Sequence, residues 1–153
     1  MSLSFDVIRC LSGKTLATAE SLTGGSIGAA LTAVPGSSAV YKGGIVSYTN
    51  EIKHNVLGVQ QQLLDRYGAV SPWVAGEMAG GVRKLLHADV AVSVTGLAGP
   101  GGDEFGHPVG TVYIGYEDAR RAVVKHCLFE GDRDAVRAQT VEAALRLILE
   151  YNA

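Results

Sequence analysis

What this chain has little of narrows its class before any motif is read. No apolar run approaches the ~20 residues that span a bilayer. Met1 to Asp6 carry neither the basic lead nor the long apolar stretch of a secretion signal. Cysteine is scarce: Cys10 and Cys127 stand alone without C-x-x-C spacing. A disulfide framework is therefore excluded, and two buried thiols in a reduced, cytoplasmic protein are expected. An excess of one charge is also missing, since 13 Lys and Arg face 15 Asp and Glu for a net −2. Such a balance gives no bulk attraction to nucleic acid or acidic membranes. His54, His87, His107 and His126 share no ligand spacing and adjoin no carboxylate cluster, so neither a metal nor a resident cofactor is expected.

What is present suffices for one packed domain over residues 1–153. A chain of 153 residues that is 47% apolar and 18% charged can bury a core without disulfides or metal. Leu3 to Leu11 set Phe5, Ile8 and Leu11 on one helical face, with Gly13 as the stop. Thr15 to Glu20 reads as a short buried strand. A helix from about Gly24 to Ala33 follows and ends at Pro35. Gly43 to Tyr48 reads as a second strand, after which Asn50 can cap a short helix through Leu57. Gln61 to Tyr67 forms another helical turn or two. Ser71-Pro72 opens a helix to about His87, with Ser at the N-cap and Pro in the first turn. Val90 to Thr95 is the clearest strand, a nearly unbroken run of β-branched and small residues. Gly110 to Tyr116 and Ala122 to Phe129, joined by Glu117 to Arg121, read as an antiparallel hairpin. The last helix runs from about Asp132 to Tyr151. This order predicts an α/β fold, a three-layer α/β/α sandwich around a mixed sheet.

Two segments carry the chemistry. Ala19-Glu20-Ser21-Leu22-Thr23-Gly24-Gly25-Ser26 closes a strand with hydroxyls and paired glycines, then opens a helix. That layout lets backbone N–H groups and the helix dipole meet an anion. Val90 to Thr95 repeats it, running into Gly96-Leu97-Ala98-Gly99-Pro100-Gly101-Gly102. Two such turns predict a pocket for a phosphorylated small molecule.

Together with Pro35-Gly36-Ser37-Ser38, Gly44 to Lys53, Gly68 to Ser71, Pro108 to Val112 and Gly131-Asp132-Arg133, these segments resemble the C-terminal domain of the CinA family, the nicotinamide-nucleotide amidase fold. The matching pieces follow the family's order across nearly the whole chain. The larger N-terminal domain often fused to this one is not in the sequence, so the chain resembles the stand-alone form. The resemblance implies hydrolysis of the carboxamide of nicotinamide mononucleotide to nicotinate mononucleotide and ammonia.

A metal-free amide hydrolysis requires a nucleophile, a base, oxyanion donors and a proton for ammonia. Ser38 and Ser21 are the candidate nucleophiles. The resemblance favours Ser38, leaving Ser21 a substrate-binding or oxyanion-side hydroxyl, although the two roles can be exchanged. Lys53 is the expected base, in the first turn of the helix that Asn50 would cap, where the dipole disfavours a cation and burial lowers the pKa further. It could activate Ser38 or a water directly. Tyr48 is expected to relay the proton or donate to the oxyanion. Thr23, Gly24 and Gly25 are expected to hold the phosphate, with Thr95 and Gly99 on the second loop lining the pocket. The resemblance places a substrate-contacting arginine at Arg133, while Arg137 is expected to pair with Asp134 or face solvent. Glu20 is an alternative orienting carboxylate. Trp73 and Tyr41 read as core or interface aromatics, and the Gly- and Ala-rich helices suggest a homodimer. A catalytically silent pyridine-nucleotide-binding module and a nucleotide phosphatase are the competing readings.

Overall fold

The central strands are nearly continuous apolar runs because helices cover both of their faces. The computed structural model describes residues 2–153. In it β1 (Leu16–Glu20), β2 (Tyr41–Val46), β3 (Val90–Gly96), β4 (Thr111–Glu117) and β5 (Ala122–Leu128) form one mixed sheet in the order β2-β1-β3-β4-β5. β1 pairs in parallel with β2 and β3, β4 runs antiparallel to β3, and β5 antiparallel to β4. The α/β/α sandwich and its terminal hairpin are as the sequence predicts.

The period of two along each strand sorts side chains between two cores. Leu16, Val90, Val92, Val94, Val112, Ile114 and Tyr116 face α1 (Leu3–Cys10), α2 (Ser26–Thr32) and α6 (Arg133–Asn152). Ala17, Ala19 and Ala91 face the opposite way, toward α5 (Pro72–Leu86), which contributes Val74, Met78 and Val82. Leu57, Val59 and Leu64 extend this second core from α3 (Asn50–Asn55) and α4 (Gln61–Tyr67) and the link between them. Small sheet residues there let α5 approach closely: a Cβ at Gly115 would press into the carbonyl of Ala75. No helix among the described residues is long and apolar enough to cross a membrane.

Several boundaries differ from expectation for local reasons. β2 spans Tyr41–Val46 rather than Gly43 to Tyr48, because its partner β1 ends at Glu20 opposite Val46. Ser47 and Tyr48 lie past that ladder and turn toward α3. The cap of α3 is Thr49, whose hydroxyl accepts the Ile52 N–H, and Asn50 is the first helical residue. Ser71 caps α5 ahead of Pro72, as its sequence predicts. Cys10 and Cys127 are part-exposed rather than fully buried.

The connection β1–α2–β2 covers one face of the sheet, and β2–α3–α4–α5–β3 returns over the other. The chain thus parts between the C-terminal ends of β1 and β3, the switch point where open α/β sheets form a crevice.

Gly81, on α5, tests this close packing. An alanine in mid-helix ordinarily gains about 1 kcal/mol over glycine, but a Cβ at Gly81 would run into the Leu57 carbonyl. Gly81→Ala is expected to destabilise by about 2 kcal/mol and lower Tm by several degrees in calorimetry. A raised Tm would contradict the packing.

Candidate functional site

The crevice is built outward from the end of β1. Glu20 is 2% exposed, and its carboxylate is turned into the N-terminus of α2. Oε1 accepts the Thr23 hydroxyl at 2.6 Å and the N–H groups of Gly25 and Ile27 at 3.2 and 2.9 Å, while Oε2 accepts the Gly28 N–H at 3.0 Å. These are the orphan donors of the first helical turn, and a buried carboxylate satisfies them. The helix N-terminus expected to bind a substrate phosphate is filled by the chain itself. Thr23 is fully buried, and neither it nor Gly24 and Gly25 lines the cavity. Arg137 holds the same turn from outside, its Nε donating to the Leu22 carbonyl and a terminal nitrogen to that of Thr23, instead of pairing with Asp134.

Glu20 also fixes its neighbours through its backbone. Its carbonyl accepts the Ser47 N–H at 2.8 Å. The Ser47 carbonyl in turn accepts from Lys53 Nζ at 2.7 Å, the Tyr48 carbonyl accepts at 3.3 Å, and Ser21 Oγ lies 2.9 Å from the same nitrogen. Lys53 is 1% exposed. Among the described residues its polar partners are all neutral oxygens, and no carboxylate lies within 4.0 Å. Burial without a counter-charge favours the neutral amine and brings its pKa down from 10.5 to about 8. The helix dipole contributes less than expected, because Lys53 falls in the last turn of the short α3.

The crevice around this pair has a volume of about 480 Å³, within the range of small-molecule sites. Ser21, Leu22 and Thr95 line it at the strand ends, with Thr95 donating to the Ala69 carbonyl at 2.9 Å. Arg133, at the start of α6, donates to the Gly99 carbonyl at 2.7 Å and to the Tyr48 hydroxyl at 3.3 Å, closing the mouth. Tyr48 is 60% exposed at that mouth, and its carbonyl rather than its hydroxyl touches Lys53. Thus Ser21, Tyr48, Lys53, Thr95, Gly99 and Arg133 come together.

Ser38 does not join them. It sits exposed on the short 3-10 turn Ser37–Ala39, lines no part of the crevice and is not among the hydrogen-bond partners of Lys53 within the described residues. The placement has a simple cause: Lys53 turns inward beneath the end of β1, where the hydroxyl hydrogen-bonded to its amine is that of Ser21. Sequence reasoning also passed over Ser47, which acts through its backbone, and the wall formed by Leu64, Val70 and Phe105. Asp103, Glu104 and Phe105 stand out as charged and aromatic residues inside a glycine loop, a signal that could have marked them. Among the described residues, no group of three or more His, Cys, Asp or Glu is placed to hold a metal ion.

Residues 6–152 match the family model of the CinA C-terminal domain. A competence-damage inducible protein of Halothermothrix orenii is 49% identical over 140 residues, covering 91% of this chain and 34% of the relative. A CinA-like protein of a Sulfurihydrogenibium species is 48% identical over 138 residues, covering 90% and 34%. The chain therefore spans about a third of the length of the curated relatives it matches. Among crystal structures, competence damage-inducible protein A of Klebsiella pneumoniae superposes with a TM-score of 0.95 at 40% identity, covering 97% of this chain and 94% of the other. The competence/damage inducible protein CihA of Agrobacterium tumefaciens gives 0.95 at 38%, covering 99% and 94%.

The Glu20 anchor can be tested apart from any activity. Both carboxylate oxygens accept, so Glu20→Gln sets an amide NH2 against a donor in either orientation. The expected cost is about 2 kcal/mol, read as a Tm several degrees lower. An unchanged Tm would mean that α2 does not depend on the charge.

Proposed function

Because the chain belongs to the CinA C-terminal domain family and buries an unpaired amine against a serine, we propose that it is an amidohydrolase in which Lys53 activates Ser21. The observation that carries this reading is the hydrogen-bond count at Lys53 Nζ. A neutral amine has two N–H groups and one lone pair. The carbonyls of Ser47 and Tyr48 take the two N–H groups, leaving the lone pair for the Ser21 hydroxyl 2.9 Å away.

In this mechanism Nζ accepts the Ser21 proton as Oγ bonds to the carboxamide carbon. The Leu22 N–H, which follows Ser21 and donates to no acceptor among the described residues, is available to the tetrahedral oxyanion. The C–N bond then breaks, and the proton on Lys53 leaves with ammonia. Water adds to the Ser21 ester, passes a proton to Lys53, and the carboxylic acid departs as Ser21 is restored. The substrate in this reading is nicotinamide mononucleotide, as the resemblance to nicotinamide-nucleotide amidases implies. With the α2 N-terminus filled by Glu20, Arg133 at the mouth is the cation that would meet its phosphate.

Ammonia and nicotinate mononucleotide should form in equal amounts from nicotinamide mononucleotide. Ser21→Ala should lower kcat by at least about a thousandfold, whereas Ser38→Ala should stay within about twofold. Since the neutral amine is the active form, kcat/KM should rise with pH to a plateau above a midpoint near 8. Wild-type turnover in Ser21→Ala would overturn the nucleophile. Tight binding of the nucleotide by wild type without ammonia release would favour a silent binding module.

A further inference from the structure

The loop between β3 and β4 holds a feature that the amide chemistry does not use. Its base is pinned by the Leu97 N–H on the Thr111 carbonyl at 2.9 Å and the Gly110 N–H on the Leu97 carbonyl at 2.8 Å. Within it, Asp103 accepts the N–H groups of Phe105 and His107 at 3.2 and 3.0 Å and lies 2.6 Å from His107 Nδ1. Burial alone would raise the Asp103 carboxyl, but these hydrogen bonds outweigh it and hold the group below its usual range. Three donors on one carboxylate fix residues 103–107 as a compact turn with Phe105 near its tip.

The Phe105 ring rests against Gly68, the left-handed residue that ends α4. A Cβ at Gly68 would come within 2.6 Å of ring carbon Cε2, so the ring is seated where only a glycine admits it. One side borders the crevice containing Ser21 and Lys53. Another borders a smaller cavity lined by Trp73, Tyr67 and Tyr113. Phe105 nevertheless remains 40% exposed. It is a wide apolar surface held by the loop at the rim of a site whose strand ends supply the hydroxyls of Ser21 and Thr95. Leu64 and Val70 continue the apolar wall beneath it.

We propose that Phe105 is a specificity residue, providing the face on which the flat conjugated ring of an aryl or heteroaryl amide stacks while its carboxamide reaches Ser21. A planar ring gains from offset stacking on Phe105 beyond its buried area. An aliphatic amide does not, so the loop selects for ring-bearing amides. This assignment deepens the amidohydrolase reading and rests on it for the orientation of the amide, but its test reads binding separately from turnover.

Calorimetric titration of wild type, Phe105→Leu and Phe105→Trp with nicotinate mononucleotide, and with ribose 5-phosphate as a ligand lacking the ring, separates stacking from simple closure. Leucine preserves an apolar side chain without the aromatic face. Phe105→Leu should raise the Kd for nicotinate mononucleotide about threefold to tenfold, Phe105→Trp should restore it, and ribose 5-phosphate should shift less than about twofold. With the substrate itself, the same loss should appear in KM, with kcat little changed. Equal weakening of both ligands in Phe105→Leu, no weakening of either, or no binding of nicotinate mononucleotide by wild type would overturn the proposal. If wild type binds that compound with the expected dependence on Phe105 yet releases no ammonia from the amide, the amidohydrolase reading fails while the stacking assignment holds.

Discussion

The buried carboxylate of Glu20 in the N-terminus of α2 is the interaction on which the remainder of the site depends. A helix start in an apolar layer leaves N–H groups that need acceptors, and a buried carboxylate needs donors. Here each deficiency removes the other through Thr23, Gly25, Ile27 and Gly28. Ser21 follows directly, so its hydroxyl is set by an anchored backbone. The Glu20 carbonyl fixes Ser47, whose carbonyl fixes Lys53. One residue, through its carboxylate and its backbone carbonyl, thus helps set where a hydroxyl and an amine meet.

The second constraint is electrostatic. The packing that encloses Lys53 supplies neutral oxygens and no carboxylate, although the chain has 15 acidic residues to draw on. An ion pair there would stabilise the ammonium and keep it protonated. Neutral carbonyls orient the nitrogen while leaving its charge uncompensated. The cost of burying such an amine is borne by the two cores on either side of the sheet, where Ala17, Ala19 and Gly115 let α5 pack tightly.

Most of the fold was legible in the sequence because its signals are local. The unbroken Val90 to Thr95 run, the Ser71-Pro72 helix start and the two-strand pattern after Gly110 each report a short-range preference. Boundaries failed where a distant partner decides them: β2 ends at Val46 because β1 ends at Glu20, a fact absent from the residues of β2. The site was legible in composition more than in placement. Ser21, Tyr48, Lys53, Thr95, Gly99 and Arg133 were found and do converge. The resemblance favoured Ser38, whereas Ser21 is the hydroxyl that meets Lys53, because nothing local shows which hydroxyl an inward-turned lysine will reach. Thr23, Gly24 and Gly25, expected to hold a phosphate, lie outside the crevice for a different reason. The turn does bind an anion, but the anion is Glu20, three residues before Thr23 in the same motif.

The filled α2 terminus bears on how such a site can change over time. Many nucleotide-binding folds recognise phosphate with backbone groups, which a mutation cannot remove without damaging the turn. In this protein the backbone donors are committed to the interior, and the cation at the crevice mouth is a single side chain, Arg133. With Arg133 meeting a substrate phosphate as proposed, preference for charged or uncharged substrates would be separated from the backbone architecture. Replacement of one codon can retune it, while the anchor that places Ser21 and Lys53 stays untouched.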